Sequence, residues 1–338
     1  MDMKEMVEKE LNSFSCDLDY RIATVGTTAR DSQPFAILPR RKALGFEAVN
    51  FMVVNPSYAE ECFKLLDGAV KYILVDIELK KEIDLMQIAK RTIKQASIIS
   101  YKPNDTTLEA ADMFLRHYFN DEMKGKRILI YGAGNLGSKL TIRLAERGAD
   151  VFLDSRNKEK TGEIIQALNH LTPKYSPSRI RQIKSYENLT DEMDVLIAFT
   201  SASNVISSSF LPFIKDGGLA LDGGINNFTS DFIKGANERS INCYRLDVRA
   251  AFPHTILFLT DYINNFYHNI QGERDFGNVR VVAGGIIGNE GDIVVDRISK
   301  PKQIVGIANG IGGLKPESEY TGKERQNIEK LREMLNGN

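Results

Sequence analysis

Apolar residues along this chain fall into short runs separated by longer stretches with helical spacing. Short, nearly continuous apolar runs mark strands buried on both faces, and the amphipathic stretches between them mark helices. Residues 1–14 read as a charged surface helix, Arg21–Gly26 as a strand, residues 27–34 as a loop and residues 35–44 as a helix closed by Gly45. Residues 48–54 form the next strand, stopped by Asn55-Pro56, and residues 57–66 a helix with Ser57 as its cap. Residues 71–77 are a strand, 84–96 a helix and Ser97–Tyr101 a short strand. Such alternation implies a parallel α/β sheet.

The stretch from Lys102 to Thr107 reads as a turn feeding a helix over residues 107–120, which marks a domain boundary. Beyond it Arg127–Tyr131, 151–153, 195–199, 218–222 and 242–246 are strand-like, 168–178 is a loop, and 207–215 and 254–269 are helices. Residues 273–315 are rich in glycine and β-branched side chains and read as an antiparallel appendage with a hairpin turn at Asn289-Glu290-Gly291. The tail beyond Pro316 is a charged helix.

The densest chemistry lies between Lys126 and Lys160. Gly132, Gly134 and Gly137 fit G-x-G-x-x-G between a strand and a helix, with Asn135 and Leu136 inside the motif. The first glycine permits a tight turn, the second lets the backbone approach a pyrophosphate, and the third lets helix and strand pack closely. The helix N-terminus offers N–H groups and partial positive charge to that pyrophosphate. At the end of the next strand stand Asp154, Ser155, Arg156 and Asn157, followed by Lys160. An acidic residue there suits the ribose of NAD, and an arginine suits the 2′-phosphate of NADP. Arg156 supplies a fork of donors, Ser155 and Asn157 neutral donors, and Lys160 a charge, so NADP is the expected cofactor, with NAD as the alternative if Asp154 faces the ribose. The fold class expected is α/β: an N-terminal parallel α/β domain at 1–105, a Rossmann NAD(P)-binding domain at 106–272, and a β-rich appendage with a terminal helix at 273–338.

At 338 residues the chain is long enough for two domains. Its net charge of -1 argues against a nucleic-acid or membrane-surface partner, and no apolar run reaches transmembrane length. The three cysteines are scattered and the four histidines lack metal-ligand spacing, which points to a reducing cytoplasm with neither disulfide framework nor metal. Unpaired strand edges in the appendage make a homodimer the expected state.

A small α/β domain ahead of a nucleotide-binding domain, joined by an Asn-Asp-Thr-led helix, resembles the amino-acid-dehydrogenase-like superfamily over roughly residues 20–272. Its members include shikimate dehydrogenase, methylene-tetrahydrofolate dehydrogenase and methylene-tetrahydromethanopterin dehydrogenase. The stretch 23–46 resembles the carboxylate-binding loop of shikimate dehydrogenases, where two serines precede a proline. Here Ser32 matches one serine, Asp31 replaces the other and Arg30 stands beside them. By the same resemblance Lys80 is the catalytic lysine, Asp105 its carboxylate partner, Lys102 a rival lysine, and Asn104 a substrate contact. Thr200 and Ser203 match positions along the cofactor ribose, and Gly223 and Gly224 would flank the nicotinamide. Where the family has a glutamine on its last helix this chain has Asp261-Tyr262, which makes Tyr262 a substrate contact. Arg249 and His254 are further candidates for holding an anion or a proton.

The resemblance implies an NADP-dependent oxidoreductase acting on a small polar substrate, a hydroxy acid or an amino acid or imine, bound between two domains. Asn104–Ala111 also resembles the helix of the tetrahydromethanopterin enzymes, and Leu219–Asn226 the Asp-Val-Gly-Ile-Asn segment of the folate enzymes, so methylene-tetrahydropterin dehydrogenase is an alternative. The folate family's Tyr-x-x-x-Lys helix and Pro-Gly-Gly loop have no counterpart in the chain. A third reading is a non-catalytic NAD(P)-binding sensor or scaffold, since fold does not imply activity.

Overall fold

The computed structural model describes residues 2–29, 33–176, 178–183, 186 and 192–336. The chain forms two compact units, Met1–Thr255 and Ile256–Asn338.

The first unit holds two five-stranded sheets. The first is built from β1 (Arg21–Gly26), β2 (Phe35–Ala43), β3 (Phe46–Val53), β4 (Tyr72–Asp76) and β5 (Ser97–Tyr101), in the order β2-β3-β1-β4-β5. The strands are parallel except that β2 runs antiparallel to β3. Helices α1 (Met3–Leu11), α2 (Pro56–Leu66) and α3 (Leu85–Thr92) share a core with Val25, Phe51, Phe63 and Ile73. Burying a side chain such as Phe63 completely stabilises the fold by roughly 1.5–3 kcal/mol.

The helix expected over 35–44 is therefore strand β2, and the first sheet is mixed rather than all parallel. Pro39 explains the strand. Inside a helix it would remove a hydrogen bond and clash with the preceding turn, whereas an edge strand tolerates it, here where the register shifts between Leu38 and Arg41. Gly45 does not close a helix. With φ of 51° at Leu44 and 85° at Gly45, the pair forms the two-residue turn of a hairpin. The cap of α2 is Asn55, whose Oδ1 accepts the Tyr58 N–H at 2.9 Å, rather than Ser57. Pro56, lacking an N–H, takes the first helical position.

The second sheet is all parallel: β6 (Arg127–Tyr131), β7 (Asp150–Asp154), β8 (Met193–Ala198), β9 (Ile214–Asp222) and β10 (Asn242–Arg245), in the order β10-β9-β8-β6-β7. Helices α4 (Pro103–Tyr118), α5 (Asn135–Glu146), α6 (Lys158–Leu171) and α7 (Ser230–Glu238) accompany it. The chain leaves β6 toward β7 and returns to β8 on the other side, which opens a crevice at the carboxyl ends of the strands. Helix α4 starts at Pro103, so Asn104 and Asp105 lie in its first turn and not in a preceding loop. The loop expected at 168–178 starts later, because α6 runs to Leu171. The helix expected over 207–215 is a tight turn at Ser208–Phe213 followed directly by β9, since Pro212 cannot continue a helical ladder.

In place of one helix over 254–269 the chain makes short turns: α8 (Phe252–Ile256), Leu257–Leu259, α9 (Asp261–Asn265) and Phe266–Ile270. The second unit contains a four-stranded sheet of β11 (Gly272–Phe276), β12 (Val279–Ala283), β13 (Ile293–Val295) and β14 (Ile304–Ile307), and ends in α10 (Gly322–Asn336). Ile328 and Leu331 pack on Val281, Ile293 and Ile307. This sheet is mixed, since β12 and β13 are parallel. The hairpin turn is at Gly277-Asn278, where φ is 52° and 70°, and Asn289–Gly291 belongs to the connection between the two parallel strands.

Candidate functional site

A cavity of about 1400 Å³ in the first unit is lined by loops that follow β1, β4, β6, β7, β8 and β9. Every one of these loops leaves the carboxyl end of its strand, the position at which open α/β sheets bind ligands.

The glycine loop lies at its centre. Gly132 has φ of 127°, and its N–H donates to the Asp154 carbonyl at 2.7 Å, tying the loop to β7. A Cβ on Gly132 would stand 2.2 Å from the Phe199 carbonyl oxygen, and one on Gly137 would stand 1.9 Å from the Gly132 carbonyl oxygen. A Cβ on Gly134 would meet nothing within 4 Å. Two of the glycines are thus fixed by close backbone packing, and the third leaves open the space in front of α5. That helix has no side-chain cap, so its first-turn N–H groups are left for a ligand.

The loop after β7 supplies the positive charge. Arg156 and Lys160 are exposed on the cavity wall, and neither side chain has a hydrogen-bond or ion-pair partner among the described residues. Asp154 is fully buried, with both carboxylate oxygens 2.6 Å from Lys158 Nζ and Oδ2 also accepting the Tyr186 hydroxyl at 2.6 Å. Burial, together with that bond to Asp154, holds the Tyr186 phenol far above the usual tyrosine range, as a hydroxyl committed to donation. Asp154 is therefore committed to Lys158 and Tyr186 and does not line the cavity. Ser155 and Asn157 have local duties. The Ser155 hydroxyl bonds Thr161 at 2.7 Å, and Asn157 Oδ1 caps α6 through the Lys160 N–H at 3.0 Å.

After β4 the chain places Lys80 on the cavity wall. Its Nζ donates to Asp76 Oδ2 at 3.0 Å and lies 2.8 Å from Glu78 Oε2. Asp76 is buried and also accepts N–H groups from Thr27 at 3.2 Å and Glu78 at 2.9 Å. Glu78 in turn accepts the Asn104 N–H at 3.1 Å. The Thr27 hydroxyl oxygen is the one buried side-chain N or O atom among the described residues that has no hydrogen-bond partner, and Thr27 lines the same cavity.

The expected Lys80–Asp105 pair is not formed. Asp105 bonds Lys102 and, at 2.8 Å, Lys139, and it lines a smaller cavity of about 330 Å³ together with Lys102 and His254. Burial works to raise its carboxyl, but hydrogen bonds from the two lysines outweigh it and leave the group below the usual range. Asp105 is the first rung of a ladder between α4 and α5, continued by Glu109–Arg143 at 2.6 Å and Asp112–Arg147 at 2.7 Å. In α4, Asn104 and Thr107 face the larger cavity and Asp105 and Thr106 the smaller one.

Thr200 lines the cavity, its Oγ1 held by the Asn227 amide at 2.9 Å, whereas Ser203 is exposed and not on the cavity wall. Gly223 and Gly224 line it as well. Their close contacts are internal, since a Cβ would stand 2.1 Å from the Phe199 ring at Gly223 and 2.2 Å from Asn227 Oδ1 at Gly224. Arg249 is paired with Asp247 at 2.9 Å. Tyr262 belongs to the second unit, where it is 77% exposed. Ser32, with Arg30 and Asp31, lies outside the described residues. Sequence reasoning passed over Asp76, Lys158 and Asn227. The i, i+4 spacing of Asp76–Lys80 and Asp154–Lys158 was the available signal, but it marks a pair only once both residues are known to leave the same strand end.

Residues 113–209 match the family described as Shikimate / quinate 5-dehydrogenase. No curated protein matches the chain in sequence. Among solved structures, a shikimate dehydrogenase in complex with NADP+ is 16% identical, covers 70% of this chain and 90% of its own, and gives a TM-score of 0.42. The shikimate dehydrogenase from Aquifex aeolicus is 20% identical, with coverages of 73% and 97% and a TM-score of 0.44. The L-tryptophan dehydrogenase from Nostoc punctiforme is 10% identical, with coverages of 73% and 76% and a TM-score of 0.45.

Proposed function

We propose that this protein is an NADP-dependent oxidoreductase, similar to shikimate dehydrogenase, acting on a small polar substrate: a hydroxy acid, or an amino acid and its imine. The observation that carries the reading is the glycine cradle, closed by backbone at Gly132 and Gly137 and open at Gly134, with Arg156 and Lys160 unpaired on the same cavity. The family match over 113–209 covers this cradle and supports it. The residues fit the cofactor: the N-terminus of α5 would hold the pyrophosphate, and Arg156 with Lys160 the 2′-phosphate. When bound, NADP(H) supplies or accepts the hydride.

Lys80 handles the proton. As hydride reaches the substrate carbon, a proton passes from Lys80 Nζ to the substrate oxygen or nitrogen, and oxidation runs the same transfer in reverse. Asp76 and Glu78 hold the ammonium in place through their bonds at 3.0 and 2.8 Å. Asp76 thus takes the position next to the lysine that the resemblance gave to Asp105. Of the described residues, no helix is long and apolar enough to cross a membrane. A cytoplasmic location and a homodimer complete the proposal.

One observation favours a non-catalytic sensor: Asp105 is committed to lysines other than Lys80. Turnover of shikimate, quinate, hydroxy acids, amino acids and reduced pterins with NADP+, followed by the absorbance of the reduced cofactor, separates the readings. The oxidoreductase reading expects at least one substrate, and a Lys80→Met variant slowed roughly 10²–10⁴-fold in kcat with NADP+ affinity intact. Binding of NADP+ without turnover of any compound would favour the sensor.

A further inference from the structure

The second unit carries a rigid apolar tip that the oxidoreductase reading leaves unused. Two glycine-rich loops make it, one joining β12 to β13 and the other following β14. The Gly291 N–H donates to the Ala308 carbonyl at 3.0 Å and ties the loops together. In the second loop Asn309 Oδ1 accepts the Ile311 N–H at 3.0 Å and the Gly313 N–H at 2.9 Å, and the Asn309 N–H donates to the Gly313 carbonyl at 3.0 Å. Gly310 and Gly312, with φ of 79° and 92°, permit the tight turn that this bracket needs. The turn holds Ile311 out at 87% exposure. Beside it stands Ile287, 68% exposed, whose Cδ1 would lie 3.8 Å from a Cβ on Gly312. Ile286 and Leu314 are exposed in the same two loops. Lys315 anchors the base, through Glu290 at 2.8 Å and the buried Glu324 of α10 at 2.9 Å. Apolar side chains held out by an ordered backbone lose little further freedom on being covered, and a patch of them marks an interaction site.

Charge and size say what covers the tip. Residues 284–289 and 308–314 contain no charged side chain, and the charges that flank them in sequence, Glu290 and Lys315, are paired with one another. A two-fold contact sets a patch against its own image, so like charges must be absent from its centre. A membrane surface calls for lysine or arginine around the apolar side chains, and a charged partner calls for an opposite charge, and the loops offer neither. The four side chains expose roughly 300 Å² of apolar surface, enough for the centre of the roughly 800 Å² that one partner of a stable pair buries. We infer that this tip is the face through which two copies of the chain associate, Ile287 and Ile311 of one copy packing on those of the other. The face presupposes the proposed homodimer and not the cofactor site.

Sedimentation equilibrium of the full chain over a range of concentrations tests the face, with the variants Ile311→Lys and Ile287→Lys and, as a control, Ile233→Lys. Ile233 is an exposed isoleucine of α7, in the first unit. The unaltered protein is expected to form dimers. A two-fold interface contains each residue twice, so either tip variant should raise the dissociation constant of the dimer by roughly a hundredfold or more, while Ile233→Lys leaves it unchanged. A dimer that survives both tip variants would overturn the face and leave the homodimer standing, and so would an equal weakening by Ile233→Lys. A monomer at every concentration would overturn both. Should that monomer float with vesicles of phosphatidylcholine and phosphatidylserine, and its Ile311→Lys variant not, the tip would be a lipid contact instead.

Discussion

Thr27 and Lys80 line the part of the cavity proposed to take the substrate, and each can be questioned by changing one side chain. A buried hydroxyl without a partner costs roughly 1–3 kcal/mol, so Thr27→Val, which keeps the shape and removes the oxygen, should leave stability unchanged or slightly raised. Calorimetric or chemical unfolding checks this, and a clear loss of stability would show that the hydroxyl has a partner in solution. The residues that the sequence made legible are those whose backbone admits one side chain. Gly132 and Gly137 are glycine because a Cβ would run into a carbonyl oxygen at 2.2 and 1.9 Å, and such a constraint leaves its mark directly on the sequence. Lys80 and Asp105 are different. A charged side chain in a helix start or a strand-end loop has several possible partners, and which it takes depends on loops distant in sequence. Asp76 is nearer to Lys80 in both sequence and space than Asp105, but its strand pattern reads as the end of an apolar run, and only the sheet shows that its carboxylate turns inward under the lysine.

At the scale of elements, strands were legible wherever an apolar run ended in a clear polar break, as at Arg21–Gly26 and Arg127–Tyr131. Strand β2 was not, because Arg40, Arg41 and Lys42 give it the polar spacing of a helix face, whereas in the sheet Pro39, Arg40 and Lys42 are exposed and Arg41 is buried, donating to the Tyr101 hydroxyl at 3.0 Å. The β2–β3 hairpin is joined to the N-terminal segment by Glu47, which accepts Lys42 Nζ at 2.6 Å and the Ser15 N–H at 2.9 Å. The Lys42 hydrogen bond first, and those from Ser15 after it, lower the Glu47 carboxyl to about 2 from an ordinary 4.5. Because the folded value is the lower one, this contribution is complete above pH 4.5 and is lost as pH falls toward 2. Unfolding measured across that window should show a fall in stability that Glu47→Gln flattens; equal acid sensitivity in the variant would remove Glu47 from the account. The α4–α5 ladder gives a second prediction. Arg147→Ala takes from the buried Asp112 carboxylate the guanidinium that bonds both its oxygens, at 3.0 and 2.7 Å, and should destabilise the first unit by roughly 1–3 kcal/mol. Denaturant unfolding reads this directly, and a loss no larger than that of an exposed surface pair would contradict the burial of Asp112.

For the whole molecule, the α/β class, the order of the two sheets along the chain and the glycine-rich C-terminal region could be read from the pattern of runs and turns. The division of the chain between Thr255 and Ile256 could not, because the short helices around it carry no composition break. The proposed homodimer is checked by sedimentation equilibrium, where a mass of one 37.9 kDa chain at all concentrations would exclude it. The proposed NADP site is tested by calorimetric titration with NADP+ and with NAD+, repeated on Arg156→Ala. NADP+ is expected to bind more tightly than NAD+, and the variant to lose this preference, by roughly 2 kcal/mol, while its weaker NAD+ binding stays as it was. Tighter binding of NAD+, or a preference for NADP+ that survives the loss of Arg156, would contradict it.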